Sequence, residues 1–265
     1  YNGYGFETYR KELGNENTII NNLVNAVHAD KKGILWIGTQ NGLSRFDPVT
    51  GNFYNDNKLP GRIIYCILES SSGELWFGTN KGLAKYDEKS DSFISPWEDE
   101  AVSIKLSETN INSISEDRNG ILWIGTGSLG VILLDPLDNK LTEFPDHNFP
   151  EVKFPSKSIS EVLVASNGEV WMGFIPGKGL GRFNPGTGSF KLYTYDSVNQ
   201  PGIWNRISGI VETSDHIIWV TSFHAPFSES GLHRYDSVSD KFTRYKREPN
   251  DPKSLSWPYA QCPVS

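Results

Sequence analysis

The hydrophobic positions of the chain fall into short runs, and one of these runs is repeated five times. Its clearest form is Leu-Trp-Ile-Gly-Thr at 35–39, and it returns with small changes around each of five tryptophans. They are Trp36, Trp76, Trp123, Trp171 and Trp219. A spacing of about 40 to 48 residues between short strands is typical of a propeller or a solenoid.

Each repeat contains four short apolar runs with a period of two, the alternation of half-buried strands. In the first repeat these runs, named the inner, second, third and outer strands, are Leu23–Ala29, Ile34–Thr39, Leu43–Asp47 and Asn52–Asn55. Polar turns that end in glycine, such as Asp30–Gly33, join the inner strand to the second, because glycine accepts the positive φ that closes the turn. The pattern predicts an all-β chain of four-stranded antiparallel blades.

The second strand is apolar on both of its faces. Trp36 and Gly38 point to one side, while Leu35, Ile37 and Thr39 point to the other. Both faces of such a sheet must be shielded from water, and blades that pack face to face around an axis achieve this. We expect each repeat tryptophan to fill the layer between two blades. The glycine two residues later should leave room for an aromatic ring of the next blade.

The pattern predicts one β-propeller over residues 1–265. Its five recognisable repeats are 23–55, 62–95, 111–144, 159–193 and 207–245. Residues 1–22 are interpreted as the last strand of a preceding repeat with its linker, since Phe6–Tyr9 resembles an outer strand. Residues 246–265 are interpreted as the start of a further repeat. We therefore expect a segment of a longer array with six or seven blades.

The composition of the chain mainly excludes classes of function. The chain has a net charge of -7, and its basic residues do not cluster beyond Lys241–Arg247, so binding to nucleic acid is not expected. No apolar run approaches the roughly 18 residues of a membrane span. The first ten residues lack the pattern of a signal peptide. Cys66 and Cys262 leave their pairing open, and two free thiols are the simpler interpretation.

No motif indicates catalysis, a metal or a cofactor. Gly125–Gly130 has the letters of a dinucleotide fingerprint, but a strand follows it where that fingerprint needs a helix. The five histidines show no metal-ligand spacing. A propeller glycoside hydrolase or polysaccharide lyase is the enzymatic alternative, and glycosidic cleavage usually needs two carboxylates that face one sugar. Glu161, Asp215 and Glu229 are candidates, yet no spacing marks two of them as a pair. We predict no enzymatic activity, no catalytic residues and no cofactor.

Binding residues on a repeat scaffold lie in loops rather than in blades. The loops that lead into the inner strands and those that join second to third strands share one edge, and we expect them to ring a central mouth. Trp204 lies off the repeat register, so either a sugar platform or local packing explains it. The predicted ligand-binding residues are Trp204, Asn205, Arg206, Arg62, Tyr65, Asn22, Asn110, Lys178, Phe223 and His224.

The repeat as a whole resembles the two-component regulator propeller repeat. Asn41–Pro48 matches that pattern closely, Lys81–Asp87 in part, and Asn250–Ser256 as a linker between blades. Blade five departs, with Thr221 in the place of glycine and an insertion at 222–230. The resemblance implies the periplasmic or extracellular sensor part of a membrane-bound histidine kinase or related signalling protein. Many such sensors respond to carbohydrate fragments, and the membrane would be reached only through other parts of a parent protein.

Two functions of different classes follow. The first is non-catalytic sensing of a small molecule or an oligosaccharide at the mouth. The second is protein interaction or homodimerisation, because exposed blade faces and strand edges invite partners. The position of exposed aromatic side chains distinguishes them: at the central mouth for a small ligand, on a blade side or outer edge for a protein partner.

Overall fold

The computed structural model describes residues 5, 7–56, 58–95, 106–194, 206–223, 230–248, 250–251 and 253–255, with only the backbone for Phe223. These residues form twenty strands in five sheets, each with four antiparallel strands in sequence order. The chain divides into two compact units, Tyr1–Ile111 with blades one and two and Asn112–Ser265 with blades three to five. The predicted all-β chain of five four-stranded antiparallel blades is confirmed.

The strands follow the predicted order within every blade. The inner strands are β1 (Val24–Ala29), β5 (Ile64–Glu69), β9 (Ile111–Glu116), β13 (Ser158–Val164) and β17 (Arg206–Glu212). The second strands are β2 (Leu35–Thr39), β6 (Leu75–Thr79), β10 (Leu122–Thr126), β14 (Val170–Ile175) and β18 (Ile218–Phe223). The third strands are β3 (Gly42–Asp47), β7 (Gly82–Asp87), β11 (Val131–Asp135), β15 (Gly179–Asn184) and β19 (Gly231–Asp236). The outer strands are β4 (Asn52–Asp56), β8 (Ser92–Ile94), β12 (Lys140–Phe144), β16 (Ser189–Tyr193) and β20 (Lys241–Tyr245).

An aspartate organises the turn between the inner and second strands of blade one. Asp30 Oδ1 accepts hydrogen bonds from the backbone N–H groups of Lys32 and Ile34, both at 2.9 Å. Its Oδ2 accepts one from Trp36 Nε1 at 2.8 Å. Gly33 closes the turn with a φ of 84°. The same side chain therefore shapes the turn and satisfies the buried indole.

Only some of the blades keep this arrangement. In blade three, Asp117 Oδ2 accepts a hydrogen bond from Trp123 Nε1 at 3.3 Å. Blades two and four have Ser70 and Ala165 in the place of the aspartate. The indole nitrogens of their repeat tryptophans are buried with no hydrogen-bond partner. An unpaired buried donor costs about 1–3 kcal/mol, so these two blades carry a local defect.

The tryptophans fill the layer between blades, as predicted. Trp36 is 3% exposed and packs on Phe77 and Tyr86 of blade two, with ring centroids 5.5 and 4.9 Å apart. Trp171 is 1% exposed and packs on Tyr235 of blade five at 4.8 Å. The apolar layer predicted between blades is therefore built from these rings within each unit.

In blades one to four, the glycine two residues after the repeat tryptophan makes room for an isoleucine, and the expectation of an aromatic ring there is wrong. A Cβ on Gly38 would lie 2.7 Å from Ile64 Cγ2, and one on Gly173 would lie 2.7 Å from Ile207 Cβ. Both isoleucines belong to the inner strand of the next blade. Neighbouring inner strands lie side by side at this level, so a compact branched side chain fits where a ring is too wide.

Residues 7–9 form no strand, and Phe6 lies outside the described residues. Tyr9 instead packs its ring on Phe46 and Phe53 of blade one, with centroids 5.0 and 5.6 Å apart. The segment thus covers the face of blade one that is opposite Trp36. No helix in the described ranges has the length and apolar character that a membrane crossing requires.

Candidate functional site

The predicted binding residues divide according to what the structure describes. Trp204, Asn205 and His224 lie outside the described residues, and the side chain of Phe223 does too. Six remain: Asn22, Arg62, Tyr65 and Asn110 in the first unit, and Lys178 and Arg206 in the second. Their joint role as one ligand site stays a prediction.

In the first unit these residues lie at the starts of the inner strands, in or beside the loops that lead into them. Arg62 and Asn110 are exposed, and Tyr65 is half-buried at a bulge in β5. Asn22 is exposed, but its Oδ1 accepts a hydrogen bond from the backbone N–H of Lys11 at 2.7 Å. Arg62 and Asn110 are therefore the side chains of this set best placed to meet a ligand.

In the second unit Lys178 and Arg206 are both exposed. Lys178 lies between β14 and β15, and Arg206 begins β17. Pairing of β17 with β18 places Arg206 opposite Phe223, so two of the predicted residues are cross-strand neighbours. In blade five, the start of the inner strand and the end of the second strand therefore lie at the same edge of the sheet.

Polar side chains of one inner strand satisfy the free edge of the next. Asn25 Nδ2 donates to the carbonyl of Ile64 at 2.9 Å, and Asn112 Nδ2 donates to that of Ile159 at 2.7 Å. Tyr65 has the same register position in blade two as Asn25 has in blade one. Such bonds use backbone groups that an open strand edge would otherwise expose.

Glu161 is the unusual carboxyl in this layer. Ser113 Oγ lies 2.9 Å from Glu161 Oε1, accepts the N–H of Val162 at 3.0 Å and lies 3.2 Å from the Val162 carbonyl. Burial raises the pKa of Glu161 to about 8, and the Ser113 hydrogen bond only partly opposes this. A protonated Glu161 can donate to Ser113 Oγ, which leaves the hydroxyl proton for the Val162 carbonyl.

The other two carboxylates considered for glycoside chemistry do not form a described pair with Glu161. Asp215 is exposed in the turn between β17 and β18, where it accepts a hydrogen bond from Thr213 Oγ1 at 2.5 Å. Glu229 lies outside the described residues. Within the described ranges, no group of three or more histidine, cysteine or acidic residues is arranged to hold a metal.

A groove of about 990 Å³ lies between blades one and two. It is at the edge formed by the inner-to-second and third-to-outer turns, opposite the edge of the predicted binding loops. Tyr54 of β4 lines it and is 50% exposed. Its charged side chains pair with one another: Lys31 with Glu69, Lys32 with Glu88, Lys85 with Glu74, and Arg45 with Asp91. The groove therefore has little unpaired charge to offer a ligand.

Four of the residues that line the groove form a cluster across the two blades. Arg45 Cζ lies 5.5 Å from the Trp36 ring centroid and 5.7 Å from that of Tyr86. Arg45 Nη1 is 2.6 Å from Asp91 Oδ1, which also accepts the Tyr86 hydroxyl at 2.6 Å. Hydrogen bonds from Arg45 and Tyr86 lower the pKa of Asp91. We call this arrangement, with Trp36 beneath it, an Arg–Tyr–Asp cluster.

The second unit contains another Arg–Tyr–Asp cluster, between blades four and five. Arg182 Cζ lies 5.7 Å from the Trp171 ring and 5.6 Å from the Tyr235 ring. Arg182 Nη1 is 3.3 Å from Asp240 Oδ1, which accepts the Tyr235 hydroxyl at 2.7 Å. Burial opposes ionisation of Asp240, but hydrogen bonds from Lys191 and two tyrosine hydroxyls outweigh it and lower the pKa of Asp240.

Sequence reasoning found the tryptophans of these clusters and missed the other members. The signal was present, since Tyr-Asp-x-x-x-Asp occurs only at 86–91 and 235–240. Each copy follows a blade with arginine opposite its repeat tryptophan, as the pairings of Trp36 with Arg45 and Trp171 with Arg182 show. A comparison of the repeats shows that this segment occurs in the blade that follows such an arginine.

The family model of the two component regulator propeller matches residues 18–41, 58–81 and 105–128. The chain therefore contains three segments that match this repeat. The matches fall on the linkers and first two strands of blades one to three, where the pattern in the sequence is also clearest. Among curated proteins, none matches this propeller.

Solved structures share the fold. The propeller is similar to the extracellular domain of BT3049, a hybrid two component system of B. thetaiotaomicron, at 22% identity and a TM-score of 0.70, over 89% of this chain and 32% of that one. BT4673 from the same organism is similar at 22% and 0.65, over 84% and 31%. Virginiamycin B lyase from Staphylococcus aureus is similar at 18% and 0.61, over 86% and 71%. The propeller thus spans about a third of the first two chains, and the likeness establishes the β-propeller fold.

Proposed function

We propose that this propeller is a non-catalytic sensor module of an extracytoplasmic signalling protein of the two-component type. The observation that carries the proposal is the match of three successive repeats to the two component regulator propeller. It is supported by the names of two similar structures, which are extracellular domains of two-component and one-component systems. The output domain and the membrane anchor would belong to other parts of a parent protein.

We further propose that the ligand is an oligosaccharide bound at the edge of the inner-strand loops. Exposed Arg62, Asn110, Lys178 and Arg206 offer amide and cationic donors at the starts of inner strands and between second and third strands. Such donors suit sugar hydroxyls and, above all, the carboxylate of an acidic sugar. Trp204 would add an aromatic platform.

A thermal-shift screen against neutral and acidic oligosaccharides tests this proposal. A ligand that binds only the folded state raises the melting temperature by mass action. The expected result is a shift with an acidic oligosaccharide that Arg62→Ala and Trp204→Ala remove. Lys89→Ala, an exposed residue of the opposite groove, is the matched control and should keep the shift. A shift that survives both loop variants would contradict the site, and no shift with any sugar would contradict the ligand class.

A protein-interaction function is the second candidate, and one observation favours it. The large aromatic side chains that stay exposed in the described ranges are Tyr9, Tyr54 and Tyr245, at 47, 50 and 43%. Tyr54 and Tyr245 lie on outer strands, the place expected for contact with a protein partner. Sedimentation analysis over a range of concentrations tests it. Self-association lost in Tyr54→Ser would support this function, whereas a monomer at all concentrations would count against homodimerisation.

A further inference from the structure

Three interfaces between consecutive blades are described within the units, and they follow one rule. Where arginine stands opposite the repeat tryptophan, as in blades one and four, the next blade supplies tyrosine and, five residues later, aspartate. In blade three the residue opposite the tryptophan is Leu133. The next blade then supplies Phe183 and, five residues later, Gly188 with a φ of 69°. The hydroxyl and the carboxylate appear only where there is a guanidinium to receive them.

The physical reason is the cost of an unpaired charge. Arg45 and Arg182 are 21 and 23% exposed and are enclosed between two aromatic rings. A partner with phenylalanine and glycine would leave such a guanidinium without a carboxylate, and an unpaired charge in a mostly buried position costs free energy. The arginine therefore selects which blade can follow.

Blade five presents the first half of such a cluster. Strand pairing places Arg234 opposite Trp219 on β19 and β18. Trp219 is half-buried, whereas the other four repeat tryptophans are 1–5% exposed. Ile217 occupies the position of the carboxylates Glu74 and Glu169, which pair with the cation of their own blade in blades two and four. In the described part of the chain, the Arg234 guanidinium makes no ion pair, although the carboxylates of Asp215 and Asp236 are near enough to interact with its charge.

The segment after β20 covers only a part of this face. Together with blade five it encloses a groove of about 420 Å³, whose apolar lining is Trp219, Leu232, Tyr245 and Leu255. The corresponding face of blade one is covered by linker residue Leu59 and by Phe77 of the next blade. Leu255 thus takes the place of Leu59, and none of the described residues that line the groove takes the place of Phe77.

We propose that the face formed by Trp219 and Arg234 is a docking surface for a further propeller blade that carries Tyr-Asp-x-x-x-Asp in its third strand and the following turn. A blade with the sequence of blade one would lack these groups, because it has Phe46 and Gly51 at those positions. A second copy of the chain does not supply it either. Both of its Tyr-Asp-x-x-x-Asp segments are already engaged with arginines of their own unit.

One feature of blade five restricts the partner further. Thr221 replaces the glycine that receives an isoleucine in the other blades, and it is buried at 1% exposure. The partner must therefore have a smaller residue than isoleucine at the start of its inner strand. This inference concerns assembly, and it holds whatever ligand the propeller senses.

Fusions of the full chain to an added blade test the proposal. One graft, appended after Ser265, is a copy of 206–245, which carries tyrosine and aspartate; the other is a copy of 158–193, which carries phenylalanine and glycine. Both contain alanine for the inner-strand isoleucine, as Ile207→Ala or Ile159→Ala in the graft. Each is made with the native host and with Arg234→Leu. Hydrogen exchange of the β18 and β19 amides reports docking.

With Arg234 present, the tyrosine–aspartate graft should slow this exchange about tenfold more than the other graft. With Arg234→Leu, the preference should reverse. Equal protection by both grafts in both hosts would overturn the proposal, and concentration-dependent protection of the unfused chain would identify a second copy as the occupant instead.

A measurement on the unfused chain keeps the test valid if a graft does not fold. Arg182→Leu should lower the melting temperature, because it leaves Asp240 without its guanidinium. Arg234→Leu should leave the melting temperature nearly unchanged. An equal decrease in both variants would mean that Arg234 already has its partner, and the proposal would fail.

Discussion

The two interfaces of the second unit use the same strand positions for different chemistry. Between blades three and four, Phe183 packs on Phe144 and Phe149 with ring centroids 4.7 and 5.0 Å apart, beside Trp123. Between blades four and five, the Arg–Tyr–Asp cluster occupies the equivalent place. The first interface is apolar at its centre, and the second is charged.

The apolar interface and the charged interface contribute differently to stability and to the selection of a neighbouring blade. Apolar burial stabilises by area and accepts many partners of suitable size. A charged cluster adds little net stability over an apolar one of equal volume, but it penalises a partner that lacks the matching charge. We infer that the apolar interface contributes more to the stability of the unit, and that the charged one determines which blade is its neighbour.

Each interface also contains one titratable group that is neutral near pH 7, half-buried in one case and fully buried in the other. Glu161 lies in the first, with its pKa raised to about 8 by burial. His233 lies on the strand that supplies Tyr235 to the second. It is fully buried, and burial together with the charge of Arg244 lowers its pKa to about 3. The two interfaces should therefore respond to pH in opposite directions.

The largest expected effect is the loss of the apolar centre. Phe183 is fully buried, and Phe183→Ala should lower the free energy of unfolding by about 4 kcal/mol, because a cavity replaces the ring. Urea denaturation followed by tryptophan fluorescence measures it. Leu137→Ala, at a side chain that is 90% exposed, should have almost no effect. A loss below about 1 kcal/mol for Phe183→Ala would show that the site collapses around the missing ring.

The next effect is a change of stability with pH. The folded pKa of His233 is below its unfolded value of about 6.5, so its contribution is lost as pH falls, by about 1.4 kcal/mol for each pH unit. Glu161 has a folded pKa above its unfolded value of about 4.5, so its contribution is lost as pH rises towards about 8. The two slopes should cancel between about pH 4.5 and 6.5.

Two variants separate these slopes. His233→Ala should remove much of the loss on the acid side, since Ala84 is tolerated at the equivalent position of blade two. Glu161→Gln should remove the loss on the alkaline side. Unfolding free energies measured from pH 4 to pH 8.5 check both expectations. A slope that is unchanged in either variant would contradict the assignment of that group.

A smaller effect is expected from the charged cluster. Asp240→Asn keeps the size of the side chain and tolerates the φ of 54° at this position, but removes the charge. It should cost about 1–2 kcal/mol at pH 7, because Arg182 and Lys191 lose their shared carboxylate. The difference from the native chain should shrink below about pH 4, since the lowered pKa of Asp240 stabilises the folded state only above that range. The exposed Asp138→Asn is the control.

The smallest effect should be a gain. Trp123 Nε1 has Asp117 as its acceptor, whereas Trp171 Nε1 has none and Ala165 stands at the aspartate position. Ala165→Asp should raise the free energy of unfolding by about 1 kcal/mol. Combination with Trp171→Phe, which removes the N–H donor, should abolish the part of the gain that comes from this bond. A gain that persists in the double variant would have another origin.

The blades can be predicted from the sequence, because strand period, turn chemistry and the repeated tryptophans are local signals. Asp30 and Gly33 show this, since their spacing alone specifies the turn that the structure contains. The edge at which Arg62 and Asn110 lie also follows from strand order. Trp204 and His224, the most distinctive predicted ligand contacts, lie outside the described residues, and their role stays a prediction.

The contacts by which blades recognise each other become visible in the folded chain and not in any one repeat. Nothing local in Arg45 or Asp91 indicates a partner, since they are 46 positions apart in the chain and meet only when two sheets pack. The same holds for Gly38, which receives Ile64 and not a ring, because the width between inner strands is set by their packing. Local periodicity specifies an element, whereas contacts between elements depend on distances that no single repeat contains.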